Sequence, residues 1–136
     1  MHVALFFTIP LLICMAYFFM GSLPLLVLNH DTPLDSRFIC GFFKTYYVAV
    51  LGTASVAAIA YAWVGHLAWS AGMAAVAVLA LTLRATVLPH MDRLRTRIEH
   101  ADAAAAIDFR HVHILGMALN FVQLAAVIWA LFHLSG

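Results

Sequence analysis

Charged residues are scarce in this sequence of 136 residues. Lys and Arg number seven and Asp and Glu six, so that charged residues make up 10% of the chain and hydrophobic residues 65%. The mean hydropathy is +1.00. Because a soluble domain has about 25% charged residues, this composition excludes an ordinary soluble fold. A net charge of only +1, without a basic stripe, also predicts that nucleic acid is not a partner.

Cysteine and catalytic motifs are scarce as well. Cys14 and Cys40 are the two cysteines, and neither belongs to a CxxC pair or a zinc-binding spacing, so we expect two buried thiols. The sequence shows no carboxylate pair, nucleophile–base pair or phosphate-binding loop of the kind that hydrolases and kinases use. We therefore expect a protein without catalytic activity.

Long apolar stretches are what the sequence has instead. A helix that crosses a bilayer needs about 20 mostly apolar residues. Four stretches meet this requirement: Val3 to Asn29, Phe38 to Val64, Ala68 to Leu88 and Phe109 to Leu134. The first is not preceded by basic residues and is too long for a cleavable signal. The predicted fold class is all-α, an integral membrane four-helix up-down bundle that forms a single domain over residues 1–136.

The few charged residues predict the orientation of this bundle. They collect around the first connection, in residues 31–44, and around the third, in residues 84–110, whereas residues 64–67 and both termini carry none. In an up-down bundle the first and third connections share a side, which the positive-inside rule places in the cytoplasm. We expect a multi-pass protein of the bacterial inner membrane, with Met1 and Gly136 on the periplasmic side.

The connections contain further signals. Asp35 or Ser36 is the expected cap of the second helix. Pro89 is expected to end the third span, and the charged segment after it to continue as a solvated cytoplasmic helix. Three arginines make this segment basic: Arg93, Arg95 and Arg97. Such a segment can dock on an acidic partner or on anionic lipid.

Small residues at four-residue spacing let membrane helices approach closely. The second and third stretches contain such series, and we expect them to lie between helices: Ala54, Ala58 and Ala62, then Ala71 and Ala75.

The fourth stretch carries a polar stripe. At about 100° per residue, Asn120 lies about 20° from His113 around the helix, and Gln123 lies within about 80°. A polar group that faces lipid without a partner costs several kcal/mol. We therefore expect His113, Asn120 and Gln123 to face the bundle interior, with Tyr46 or Tyr47 of the second helix as hydrogen-bond partners.

Three short motifs resemble those of a bacterial family of four-helix membrane proteins of unknown function, related to transmembrane protein 205 of eukaryotes. The start of that family's fourth helix is matched by Phe109, Arg110, His113 and Asn120. An aromatic element of its second helix is matched by Phe43, Tyr46 and Tyr47, and a proline followed by a basic run by Pro89 and Arg93 to Arg97. Where the family usually has glycine after the histidine, this chain has Ile114. The resemblance implies the four-helix membrane fold and no defined activity.

Eight histidines are many for this length. His2, His66 and His133 fall at the predicted periplasmic side, and three imidazoles suit copper or zinc. Haem b needs two facing histidines near one membrane depth, or one histidine with an open position. The pairs that could supply them are His113 with His90 or His30, and His66 with His133.

Three functions therefore remain as hypotheses. The first is a non-catalytic accessory or structural subunit whose partners are other membrane-protein chains and lipid, with a first helix that Pro10, Gly21 and Pro24 allow to bend towards a partner. The second is a haem- or copper-binding redox protein. The third is a small transporter, although no Asp, Glu or Lys lies at mid-span, where transporters usually place ionisable residues.

Overall fold

A computed structural model describes residues 2–27 and 32–135 of the protein as four helices. They are α1 (His2–Leu25), α2 (Pro33–Trp63), α3 (Leu67–Glu99) and α4 (Ala103–Ser135). Each helix is long and apolar enough to cross a membrane, and each packs against the helices before and after it, with α4 closing on α1. The predicted all-helical four-helix bundle is confirmed. The predictions for Met1, His30 and Gly136 concern residues outside those described.

The two ends of the bundle differ in charge. We call the end that contains the α1–α2 and α3–α4 connections the charged end, and the end that contains the α2–α3 connection the uncharged end. At the charged end, α2, α3 and α4 all begin or end outside the predicted apolar spans. The helices extend beyond their apolar spans because the additional turns carry polar and charged side chains, which water can solvate.

Thr32 caps α2, which corrects the expectation of Asp35 or Ser36. The Thr32 hydroxyl accepts a hydrogen bond from the Asp35 backbone N–H at 3.2 Å. Pro33 then occupies the first helical position, where its fixed φ is favourable and its missing N–H is not needed. Asp35 and Ser36 consequently lie inside the first turn, where the Asp35 carboxylate complements the helix dipole.

Both described hairpin turns end a helix in the same way. In each, two backbone N–H groups bond back to carbonyls of the last helical turn: Gly65 to Ala62 and His66 to Tyr61 after α2, Ala101 to Ile98 and Asp102 to Arg97 after α3. This motif requires a left-handed residue. Gly65 supplies it at φ +80°. Ala101 supplies it at φ +61°, at a cost of roughly 1–2 kcal/mol for a residue with a Cβ.

Asp102 helps to offset that cost by joining α3 to α4. Its carboxylate accepts hydrogen bonds from Arg97 Nε at 2.9 Å and Nη2 at 2.8 Å. Its other oxygen caps α4 by accepting from the Ala104 N–H at 3.1 Å. The bound Arg97 guanidinium holds the pKa of the Asp102 carboxyl below its usual value, so the carboxylate stays charged at neutral pH.

The helix predicted to continue past Pro89 does so, because α3 runs without interruption to Glu99. It is not solvated on all sides, however. Met91, Leu94 and Ile98 are buried in the same apolar cluster as Ala105 and Phe109 of α4. The charged segment is therefore an amphipathic extension that packs against the first turns of α4.

The predicted alanine series lies only partly between helices. Ala54 is buried and Ala58 half-buried, but Ala62, Ala71 and Ala75 are exposed. Each step of four residues turns about 40° around the helix, so the series leaves the interface within two steps. Other alanines are buried in α2 and α3 instead: Ala57, Ala77 and Ala80.

Candidate functional site

Two polar residues of α4, His113 and Asn120, lie in the interior of the bundle. Both are buried, with exposed fractions of 0% and 1%. They lie seven residues apart, which is close to two turns, so they share one face of α4. The structure therefore brings these two members of the predicted stripe to the interior.

Asn120 joins three helices. Its Nδ2 donates a hydrogen bond to the Tyr46 hydroxyl of α2 at 2.6 Å and a longer one to the Met15 carbonyl of α1 at 3.4 Å. Hydrogen bonds between helices in a membrane contribute roughly 0.6 to 2 kcal/mol each. The predicted bond between Asn120 and Tyr46 is present.

Aromatic rings hold Tyr46 in position for this bond. Its ring stacks on Phe18 of α1 with centroids 3.9 Å apart and an interplanar angle of 22°. Phe18 also meets the ring of Phe43 edge-on at 4.9 Å. Stacked and edge-on pairs contribute about 0.5–1.5 kcal/mol beyond the area they bury. Phe18 thus fixes the α2 residues that face α4.

His113 and Gly116 of α4 both meet Phe43. The His113 ring lies edge-on to the Phe43 ring, with centroids 5.4 Å apart at 78°. A Cβ added at Gly116 would lie 2.8 Å from Phe43 Cζ and closer still to Cε1. Gly116 is therefore needed for the close approach of Phe43, because any other residue would overlap its ring.

The other two residues of the predicted site differ in position. Tyr47 is buried beside Tyr46, with ring centroids 5.4 Å apart. Gln123 is half-buried and lines an apolar cleft between α3 and α4, away from the two tyrosines. Its side chain starts about 60° around the helix from Asn120, which is enough to turn it from α2 towards α3.

A second polar contact between helices was not predicted. Thr8 of α1 and Tyr61 of α2 are both fully buried, and their hydroxyl oxygens lie 3.0 Å apart near the uncharged end. The sequence contains a signal for it. Thr8 lies near the start of α1 and Tyr61 near the end of α2, and such positions reach similar depths in an antiparallel pair.

The described histidines do not assemble into a metal centre. Among residues 2–27 and 32–135, no group of three or more His, Cys, Asp or Glu side chains is arranged to hold a metal ion. His2, His66 and His133, which were predicted as a set, are therefore not brought together. His133 instead contacts its own helix, with Nδ1 at 3.0 Å from the Trp129 carbonyl oxygen. Of the predicted haem pairs, His113 is buried while His90 is exposed.

The basic segment is partly neutralised by contacts within the chain. Arg97 pairs with Asp102. Arg95 Nε lies 3.8 Å from Asp92 Oδ1, and Arg93 Nε donates to the Pro89 carbonyl at 3.4 Å. Nearby, Arg110 Nη2 donates to the Leu26 carbonyl at the end of α1 at 3.0 Å. Arg97 and Arg110 therefore join helix ends at the charged end, whereas the contacts of Arg93 and Arg95 lie within α3.

No protein-family profile, no curated protein and no solved structure matches this chain. The relation to the family of transmembrane protein 205 therefore stays a prediction that rests on the three short motifs.

We predict that Asn120 and Tyr46 are energetically coupled. Asn120→Ala and Tyr46→Phe should each lower the free energy of unfolding by on the order of 1 kcal/mol. The double variant should lose less than the two effects added together, because both changes remove the same hydrogen bond. Unfolding in detergent measures all three. Tyr17→Phe makes the same chemical change at an exposed position and should have little effect. Strict additivity of the two substitutions would contradict the coupling.

We also predict that Gly116 does not tolerate a methyl group. Gly116→Ala should destabilise the bundle by about 1–3 kcal/mol, the usual cost of overpacking, which exceeds the gain in helix propensity of up to about 1 kcal/mol. Gly52→Ala is the matched control, because no atom lies within 4 Å of a Cβ at that position. Phe43→Leu should relieve part of the defect. Equal melting temperatures for the two alanine variants would show that α4 does not pack as described.

Proposed function

We propose that this protein is a non-catalytic accessory or structural subunit of a larger assembly in the bacterial inner membrane. In this proposal its helices form the interface with other membrane-protein chains. The interior supports a structural role, because the Asn120 amide N–H and the Tyr46 hydroxyl hydrogen-bond to each other there. The outer faces supply the surface for association. In the apolar 18-residue stretch of each helix, only 22–33% of the residues are buried in the bundle.

The proposal of a partner chain rests on the side-chain amide of Gln123. Its Nε2 is buried and has no hydrogen-bond acceptor among the described residues. In the predicted span of residues 109–134 it lies close to the midpoint, where water is absent. An unpaired amide there costs several kcal/mol. Rotation of the side chain would turn Nε2 into the cleft that Gln123 lines, where an acceptor on another helix would stabilise the assembly. A hydroxyl or carbonyl group of a partner helix supplies such an acceptor.

The surroundings of Gln123 have the shape that a helix needs. The cleft between α3 and α4 has a volume of about 390 Å³. Gly72, Ala75 and Ala126 line it, and small residues of this kind allow helix backbones to approach closely. On α3 the cleft extends from Trp69 to Leu79, a rise of about 15 Å. We infer that an apolar partner helix with one central acceptor lies there.

We further propose that the charged end lies in the cytoplasm. All seven Lys and Arg residues lie in residues 37–44 and 84–110, around the two connections of this end, and the positive-inside rule retains such segments on the cytoplasmic side. A reporter enzyme that is active only in the periplasm, fused after Gly136, should be active. The same reporter inserted after Ala101 should be inactive. Activity of the inserted reporter would reverse the orientation.

Photocrosslinking in native membranes tests the partner chain. A photoreactive phenylalanine analogue at Ala126, in the cleft, should capture one defined membrane protein. The same analogue at Gly52, which has an exposed position outside the cleft, should capture little of it. Gln123→Leu should reduce the yield at Ala126 several-fold, because it removes the donor that the partner helix satisfies. Recovery of an uncrosslinked monomer from every position would contradict the proposal.

Purified protein tests the two other hypotheses, which are a haem- or copper-binding redox protein and a small transporter. A haem protein shows a Soret band, and a copper protein retains stoichiometric metal through purification. Either result would favour the cofactor hypothesis over the subunit hypothesis. Substrate-dependent uptake into vesicles would favour the transporter.

A further inference from the structure

A second groove lies between α1 and α2 and has a different character from the α3–α4 cleft. Its volume is about 570 Å³, within the range of roughly 300–1,000 Å³ that is typical of small-molecule sites. Tyr17 and Phe18 of α1 form one wall, and Phe38 and Phe42 of α2 form the other. The two walls meet at the floor, where Phe18 stacks on Phe42 with centroids 5.2 Å apart.

The groove exists because one residue on its floor has no side chain. Gly41 lines it, and no atom lies within 4 Å of the position that a Cβ would occupy there. One turn further along α2, the Thr45 hydroxyl donates to the Gly41 carbonyl at 3.0 Å. Because this hydroxyl is hydrogen-bonded within its own helix, it adds no unpaired donor to this stretch of the groove.

A cation lies where the groove reaches the charged end of the bundle. Arg37 is exposed and lines the groove, and it forms no hydrogen bond or ion pair with a described residue. Among the described residues, no Asp or Glu lines the groove with it. The nearest basic residue along α2, Lys44, lines a different groove towards α3. The planar guanidinium fork of an arginine binds phosphate through two parallel hydrogen bonds.

The length of the groove matches one leaflet of a bilayer. Between Arg37 and Ala49, which line its two ends on α2, the helix rises about 18 Å. One leaflet of the hydrocarbon core is about 15 Å thick. A lipid chain in the groove would therefore start at the interface beside Arg37 and end near the bilayer midplane.

We propose that the α1–α2 groove binds one anionic glycerophospholipid of the leaflet at the charged end. One acyl chain lies in the groove over Gly41, and Arg37 binds the phosphate. A headgroup with its own cation would place that cation beside Arg37, so phosphatidylglycerol is preferred over phosphatidylcholine. The proposal rests on the membrane location proposed above and does not depend on the partner chain.

Native mass spectrometry of the full-length protein in detergent, with added phosphatidylglycerol or phosphatidylcholine, tests this site. The wild-type protein should retain one phosphatidylglycerol with at least threefold higher occupancy than phosphatidylcholine. Arg37→Gln should remove this preference. Gly41→Leu should lower the occupancy of phosphatidylglycerol at least fivefold by filling the groove. Gly52→Leu, which adds the same side chain at an open position outside the groove, should bind as the wild type does.

Thermal melting of each variant shows whether the fold is retained, and Gly41→Leu is expected to melt as Gly52→Leu does. Equal occupancy in these two variants would overturn the groove as the binding site. Equal binding of the two lipids by the wild type would overturn the role of Arg37. Binding of a free fatty acid as tight as that of phosphatidylglycerol would overturn the phospholipid assignment. Loss of the Ala126 crosslink with lipid binding intact would instead overturn only the proposed partner.

Discussion

The hydrogen bond from Asn120 to the Tyr46 hydroxyl holds α4 against the rest of the bundle, and much of the arrangement depends on it. α4 packs against α3 and α1, and its contacts with Tyr46 and Phe43 join it to α2. Those contacts are specific. Tyr46 reaches Asn120 because Phe18 stacks on its ring, and the helices approach closely because Gly116 leaves space for Phe43. In the proposed membrane location no hydrophobic force draws helices together, so close packing and hydrogen bonds would supply the association.

The same contacts explain why the interior and the exterior of the bundle have different roles. Inside, the largest side chains are aromatic and meet at short distances, and Asn120, Thr8 and Tyr61 hydrogen-bond across helices. Outside, the α3–α4 cleft and the α1–α2 groove lie on different sides of the bundle. One contains an amide without an acceptor, which suits a helix of another chain. The other ends at Arg37, which forms no ion pair with a described residue, and this suits a lipid. Both inferences follow from a polar group that has no partner in the part of the chain that the structure describes.

The residue pattern was a good guide wherever a property depends on the local chain. The four helices follow from the apolar stretches, and the inward position of His113 and Asn120 follows from helical periodicity. Other features were misplaced. The cap of α2 proved to be Thr32, since Pro33 starts the helix earlier than the apolar stretch does. The alanine series was assigned to interfaces from Ala54 to Ala75, yet its outer members are exposed. Gln123 was grouped with Asn120, although an angle of about 60° separates them around α4.

Sequence alone determined that the chain forms four apolar helices, that its charges lie at one end, and that polar groups of α4 must turn inward. These properties depend on composition and on the period of a helix, both of which are local. Tertiary structure decided which helix each polar group meets. The partner of Asn120 depends on how closely α2 approaches, and that distance depends on Gly116 and on the ring of Phe43. It also decided that His2, His66 and His133 form no common site and that Gln123 and Arg37 each lie in an open groove. These outcomes depend on distances between helices, which no spacing along a single helix encodes.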